Sequence, residues 1–281
     1  MLIKRIVTAL LLAAALLAGL FFLSPWHFGL ALLPAMMVAA DEWCRLAGWS
    51  MRSVRFAYIA VLLALLFLLT EWLGIGLLGQ HFTEGDSARI TQITVAAVAL
   101  WALLLLWIQG YPSSALLWGR DLVMAPLGLS LLAATWLSIL FIAHLPNGYW
   151  WLLLAIASVA FADIGGYFFG RWLGRHKLAP VISPGKTWQG YAGGLVANML
   201  LAFAVVGVFQ IPLYKTLLLL VVVAAAAPVG DLFESMLKRH RGIKDSGAIL
   251  PGHGGVLDRI DAQMIGLPLF YLLLSQLELA A

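Results

Sequence analysis

Asp231 and Glu234 stand three residues apart, and Asp258 and Asp261 repeat that spacing further along the chain. Residues three apart on a helix share a face, so two helix ends could bring four carboxylates to one place. Acids packed together repel one another, and burial raises the cost of ionising them. A hard divalent cation reverses that preference. Mg²⁺ in particular takes a few carboxylates together with phosphate oxygens and retained waters. Acids at a helix N-terminus also meet a favourable dipole. Between the two pairs lie Lys238, Arg239, Arg241 and Lys244, then Asp245. This cationic set suits a polyphosphate or an anionic lipid headgroup. A turn over Pro251, Gly252, His253, Gly254 and Gly255 offers backbone N–H groups to a phosphate, and His253 could donate to it or move a proton. His240 reads as a solvated residue.

The elements that must position these groups are apolar. The chain has 281 residues, is 63% hydrophobic and 11% charged, and its mean hydropathy is +0.98. Soluble domains run near 25% charged, so the composition is that of an integral membrane protein. Nine apolar segments are legible, near 5–23, 26–40, 56–73, 91–109, 122–143, 148–169, 191–210, 213–230 and 262–279. Each is close to the roughly 20 residues a membrane helix needs. The first follows Lys4 and Arg5 and reads as an uncleaved signal anchor, given the spans that follow. The predicted fold class is therefore all-α: a polytopic helical bundle with about nine transmembrane helices. If the N-terminus is cytoplasmic, 15 of the 17 bases fall on the inner side and only Arg89 and Lys215 outside. Bases are retained on the cytoplasmic side during insertion, which supports N-terminus in and C-terminus out. The polar run 235–261 then lies against the cytoplasm, in a bacterial inner membrane or its equivalent. The excess of bases over 13 acids does not point to nucleic acid, because the bases sit in loops between spans. A single cysteine, Cys44, excludes an internal disulfide and a multi-cysteine metal site.

Several polar positions lie outside the run. Asp163 sits inside the sixth apolar segment, where an acid costs about 2.5–3.5 kcal/mol to insert. It calls for a cation, an aqueous cavity or a position near the span end, where Arg171 or Arg175 could pair with it. Gly165 and Gly166 follow and permit close backbone approach. In the stretch 182–194, Ser183, Lys186 and Thr187 could hold phosphate oxygens, with Gly185 opening backbone N–H groups to an anion. This is not a Walker A loop, because Pro180 stands where its first glycine belongs. A plain Gly/Pro turn before a span is an equal reading. Asp41, Glu42 and Arg45 read as an interfacial cluster, the loop 80–89 as a connector, and the twelve tryptophans as interfacial belts.

A basic cytoplasmic loop is what insertion requires, and that accounts for the four bases. It does not account for paired acids at both span ends or for the five glycines between 235 and 261. Here the run resembles the signature of phosphatidate cytidylyltransferases. That signature is a serine, Lys-Arg, a four-residue gap, Lys-Asp, then His-Gly-Gly and Asp-Arg-x-Asp. The matching positions are Ser235, Lys238 and Arg239, Lys244 and Asp245, His253, Gly254 and Gly255, and Asp258, Arg259 and Asp261. Residues 182–190, the junction from Gly230 to Ser235, and the segment from Asp163 to Gly166 also look like family features. The resemblance covers about the C-terminal 45% of the chain, the N-terminal spans matching only in hydrophobicity.

The resemblance implies that CTP and phosphatidic acid are converted to CDP-diacylglycerol and pyrophosphate. It implies a polytopic helical fold, a divalent metal (usually Mg²⁺) with a monovalent cation such as K⁺ beside it, and a homodimer. It places metal binding at Asp231, Asp258 and Asp261, with Glu234 and Asp163 as further candidates. Substrate contacts then fall to Ser183, Lys186, Thr187, Ser235, Lys238, Arg239, Gly254, Gly255 and Arg259, and catalysis also to Lys244, Asp245 and His253. On this reading residues 1–145 supply N-terminal spans, and residues 146–281 form the catalytic region with cytoplasmic loops 170–190 and 231–261. A transporter or channel using the intramembrane acid and a lipid-binding scaffold are the rival classes, and a related lipid kinase is the nearest rival enzyme.

Overall fold

A computed structural model describes residues 2–75, 84–209 and 211–279. All nine apolar segments are helices. They are α1 (Leu2–Phe22), α2 (Pro25–Ala47), α3 (Arg52–Trp72), α4 (Glu84–Gln109), α6 (Asp121–His144), α7 (Gly148–Leu173), α8 (Trp188–Phe209), α9 (Leu213–Arg241) and α11 (Gln263–Gln276). Two one-turn helices, α5 (Ala115–Trp118) and α10 (Leu257–Ile260), lie in the connections. Six of the helices, α3, α4 and α6 to α9, are long and apolar enough to cross a membrane unaided. The all-α expectation holds apart from one hairpin. Strands β1 (Lys177–Ala179) and β2 (Ser183–Thr187) pair antiparallel where the sequence suggested only a turn. Of the connector expected at 80–89, residues 84–89 open α4 and the remainder lies outside the described residues. Arg89 there stacks 5.2 Å over the Trp72 ring and donates to the Trp72 carbonyl.

The polar run is not one loop. Its first residues, through Arg241, continue α9, a helix of 29 residues. At 1.5 Å per residue it is about 44 Å long, more than the roughly 30 Å hydrocarbon layer, so one end must leave the bilayer. The end rich in bases is the C-terminal one: Lys238, Arg239, His240 and Arg241 occupy the last turn, where they oppose the helix dipole. Gly242, at φ 69°, closes the helix in the left-handed conformation that suits glycine.

In lipid the packing of helices cannot draw on the hydrophobic effect, so small residues that allow close approach take its place. Helices α7 and α8 form the most extensive pair, and glycines line their contact. A Cβ on Gly165 would stand 2.5 Å from the Gly193 carbonyl oxygen, and one on Gly193 2.3 Å from the Phe169 Cβ. Helix α11 packs on α9, α6, α4 and α7, and one apolar core runs continuously across both halves of the chain.

Several tryptophans serve this core rather than an interfacial belt. Trp43, Trp101 and Trp136 are buried and donate their indole N–H groups to the carbonyls of Met124, Met264 and Gly29 on other helices. An indole N–H inside the membrane has no water to bond, so it must find a backbone carbonyl.

The packing makes a specific prediction. Gly193→Val overfills the α7–α8 contact and lowers stability by about 1–3 kcal/mol or more. Gly207→Ala, on the same helix with nothing within 4 Å of the added carbon, leaves the unfolding midpoint unchanged. Thermal unfolding of both variants in detergent checks the pair.

Candidate active site

Three elements meet at the C-terminal end of α9. Asp231, Glu234, Ser235 and Lys238 project from one face of that helix, at successive three- and four-residue steps. The β-hairpin brings Lys186 to Asp231, with Nζ 2.5 Å from the carboxylate. The connection into α11 brings Asp258 on α10 and Asp261 just after it. Lys238 Nζ lies 2.6 Å from Glu234 Oε2 and 2.6 Å from Asp258 Oδ1. Ser235 donates to Asp231 Oδ1 at 3.1 Å. Arg239 donates to the carbonyl of Ile182 at 3.1 Å, which fastens the hairpin turn to α9.

The acids differ in their surroundings. Burial alone would raise the Asp258 carboxyl. The Lys238 ammonium, the Gly255 N–H and Ser246 together hold it below the usual carboxylate range. Its Oδ2 accepts from Ser246 N at 3.0 Å, Ser246 Oγ at 3.0 Å and Gly255 N at 2.8 Å. Asp261 lies opposite in character. Burial, and after it the charge of Asp231, pushes its carboxyl up to about 7, although the Ala262 N–H donates to it at 2.7 Å.

Beside this cluster a cavity of about 460 Å³ opens between α7, the hairpin, α8 and α9. Asp163, Tyr167, Arg171, Ser183, Lys186 and Thr187 contribute its polar lining. The intramembrane acid thus reaches an open cavity, as its cost demanded, and lies in electrostatic range of Lys186, Asp231 and Arg259. It pairs with neither Arg171 nor Arg175. Arg171 donates to the Tyr167 hydroxyl at 2.9 Å, and Arg175 donates its backbone N–H to Gln189. Thr187 is buried, and its Oγ1 accepts from Gly190 N at 3.1 Å, so it caps α8 while lining the cavity.

Other candidates are placed differently. In the turn at 250–255, His253 N–H donates to the Leu250 carbonyl and Gly255 N–H to Asp258, so these two groups are already engaged, while Pro251 and Gly252 are exposed. His253 Nδ1 is buried without a hydrogen-bond partner. Gly254, at φ 81°, sits so close to Asp258 that a Cβ would stand 2.7 Å from its carboxylate. Lys244, Asp245 and Arg259 are exposed, and among the described residues their side chains make no hydrogen bond. Arg241 is structural: it donates to the carbonyls of Leu46 and Ala47 at the end of α2. His240 is exposed but rests edge-on against Trp118, 4.9 Å between centroids.

The sequence reading missed Glu42 and Ser246. Of the interfacial cluster it proposed, Asp41 conforms, pairing with Arg45 and Arg55. Glu42 does not: it is 2% exposed and accepts from Leu257 N at 2.8 Å. The signal was helical phase. Glu42 shares a face with Ala39 and Leu46, both buried, whereas Arg45 faces out.

The donor set suits a hard cation. The charge of Asp231 disfavours ionisation of Asp261, and Glu234 Oε1 is buried with no hydrogen-bond partner. Among the described residues no three acid, histidine or cysteine side chains converge on one point. The two ammonium groups lie among the acids, Lys238 between Glu234 and Asp258 and Lys186 on Asp231. This fits Mg²⁺, which takes one or two carboxylates plus substrate phosphates, better than a closed cage of protein ligands.

The likeness to known proteins extends beyond the C-terminal half of the chain. The model of the cytidylyltransferase family matches residues 3–277, so the N-terminal spans share more with it than hydrophobicity. A phosphatidate cytidylyltransferase of Haemophilus influenzae is 37% identical over 296 aligned residues, covering 96% of this chain and 97% of that one. One from Pseudomonas aeruginosa is 38% identical over 277 residues, covering 98% and 97%. A third, from Staphylococcus saprophyticus, is 46% identical over 133 residues, 47% of this chain and 51% of its own. With an acid and lysine cluster at the end of a membrane helix and a match along nearly its whole length, the chain belongs to the cytidylyltransferase family.

Proposed function

We propose that this chain is a phosphatidate cytidylyltransferase, transferring the cytidylyl group of CTP to phosphatidate to give CDP-diacylglycerol and pyrophosphate. The observation that carries the reading is the cluster itself: Lys186 and Lys238 held by three acids, Asp231, Glu234 and Asp258, beside a cavity lined by Ser183 and Thr187. A phosphatidate oxygen attacks the α-phosphorus of CTP, the bond from that phosphorus to the bridging oxygen breaks in line, and pyrophosphate leaves. The attacking oxygen is already an anion near neutral pH, so no strong base is required. The obstacle is repulsion between two anions.

Lys186 and Lys238 meet that obstacle directly. Each is anchored by a carboxylate, so its charge is fixed in place before substrates arrive, which is how preorganised electrostatics lowers a barrier. Arg239 braces the hairpin that carries Lys186. Asp231 and Asp261, with Asp258 as the further candidate, would hold Mg²⁺, which would supply neutralisation of charge on the phosphate oxygens; a monovalent cation such as K⁺ rests on the family resemblance. Asp163 and Arg171 line the same cavity, beside exposed apolar residues of α7 such as Phe168. Acyl chains stay in the bilayer.

All nine helices cross the membrane in this reading, with the N-terminus and the active site in the cytoplasm and the C-terminus outside. The support is the distribution of bases. The homodimer rests on the family resemblance alone.

The direct test is purified protein in detergent with CTP, phosphatidate and Mg²⁺, following pyrophosphate release. Asp261→Asn and Asp258→Asn should lower kcat by about 100-fold or more while the protein still inserts. Near-normal turnover in either removes that residue from the site. Lys186→Ala should lower kcat or raise the KM for a substrate by about 10-fold, and an unchanged profile detaches the hairpin from the chemistry. Chelation of divalent ions should abolish release and added Mg²⁺ restore it, whereas activity in excess chelator refutes the metal. A C-terminal reporter should be accessible only from outside the cell, and a cytoplasmic signal breaks the nine-span topology.

A further inference from the structure

We infer that Glu42 is a positioning residue for this reaction: it holds from behind the two turns that aim Asp258 and, through it, Lys238. Glu42 lies on α2, far from the polar run in sequence. Its carboxylate is 2% exposed and makes no ion pair among the described residues. A buried acid without a cation is costly unless hydrogen bonds replace its water. Glu42 finds those bonds in one place. Oε2 accepts from Leu257 N at 2.8 Å and from Ser246 Oγ at 3.3 Å.

Every one of those donors belongs to a turn that holds Asp258. Ser246 gives Asp258 its backbone N–H and its hydroxyl, and Leu257 immediately precedes Asp258 in the chain. The Ser246 hydroxyl has one proton and stands between the two carboxylates, so it bonds to one of them at a time. Two glycines allow this approach. A Cβ on Gly247 would come 2.1 Å from Glu42 Oε1, and one on Gly255 2.5 Å from both carboxylate oxygens. The turns at 246–247 and 255–257 are therefore clasped between Glu42 on one side and Asp258 on the other. With Oδ2 of Asp258 held by the turns, Oδ1 is the oxygen left for Lys238, 2.6 Å away. Glu42 thus sets where the ammonium stands without reaching substrate itself.

The inference rests on Asp258 and Lys238 belonging to the reaction site, so Asp258→Asn is measured alongside. In the full-length protein in detergent, Glu42→Ala should lower kcat by about 10–100-fold, as loss of a partner that orients a catalytic group does. The KM for CTP should stay within about 2-fold, because ground-state binding is not what Glu42 serves. Glu42→Asp should recover part of kcat. Ser246→Ala should also lower kcat, and the Glu42→Ala, Ser246→Ala double variant should be little worse than Glu42→Ala alone, because both act on one carboxylate. Glu42→Gln, nearly isosteric, keeps an acceptor for Leu257 but turns an N–H₂ group toward other donors. It should fold with an unfolding midpoint near wild type and still lose kcat. Wild-type kcat in both Glu42→Ala and Glu42→Gln, with loss in Asp258→Asn, overturns the inference alone. So do fully additive losses in the double variant, or an Asp variant no better than Ala. Wild-type kcat in Asp258→Asn overturns the site reading and this inference with it.

Discussion

Lys238 stands between two carboxylates, 2.6 Å from each, with only 12% of its side chain exposed and 1% and 5% of theirs. Three charges so far from water are costly to desolvate, and removing one member of such a group typically costs about 3–5 kcal/mol. An interior arrangement of this kind is weak evidence of stability for its own sake, since apolar residues could fill the space more cheaply. Its consequence is positional: the ammonium cannot wander, because each carboxylate is itself fixed. Glu234 is fixed by the helix, and Asp258 by the turns around it. Asp231 and Lys186 form a second, more open pair on the side of the cavity. Together the two groupings fix the ammonium groups of Lys186 and Lys238 at defined positions among the carboxylates.

The rest of the fold can be understood as bringing four chain segments to that point. The glycines between α7 and α8 let two helices approach until backbone meets backbone, which brings Asp163 and the hairpin to a shared cavity. Helix α9 is longer than the bilayer is thick, and one of its faces carries Asp231, Glu234 and Lys238 toward its C-terminal end. Helix α11 begins two residues after Asp261 and packs against α9, α6, α4 and α7, so packing fixes where that acid stands.

The N-terminal helices are less anonymous than their composition suggests. Arg241 closes the carbonyl end of α2, and Glu42 on α2 closes the turn at 255–257, so the same helix grips the catalytic run at both of its ends. Buried tryptophans tie α2 to α6 and α4 to α11 through backbone carbonyls. The family match over residues 3–277 takes in these N-terminal helices as well.

Hydropathy alone determined the class of solvent, the nine helical segments and the all-α architecture, because a helix in lipid must satisfy its own backbone bonds and leaves a long apolar trace. Residue type and spacing also marked Asp231, Glu234, Lys238, Asp258 and Asp261, since acids and bases crowded beside apolar spans are expensive and local in sequence. Tertiary structure alone decided which of these touch. It tied the Gly255 N–H to Asp258, left Lys244 and Arg259 exposed, folded 183–187 into a strand and gave Glu42 its place. The Glu42 to Leu257 bond spans 215 positions of chain, and nothing local records it. Only the packing of α2 against the end of α9 brings those atoms within reach of each other.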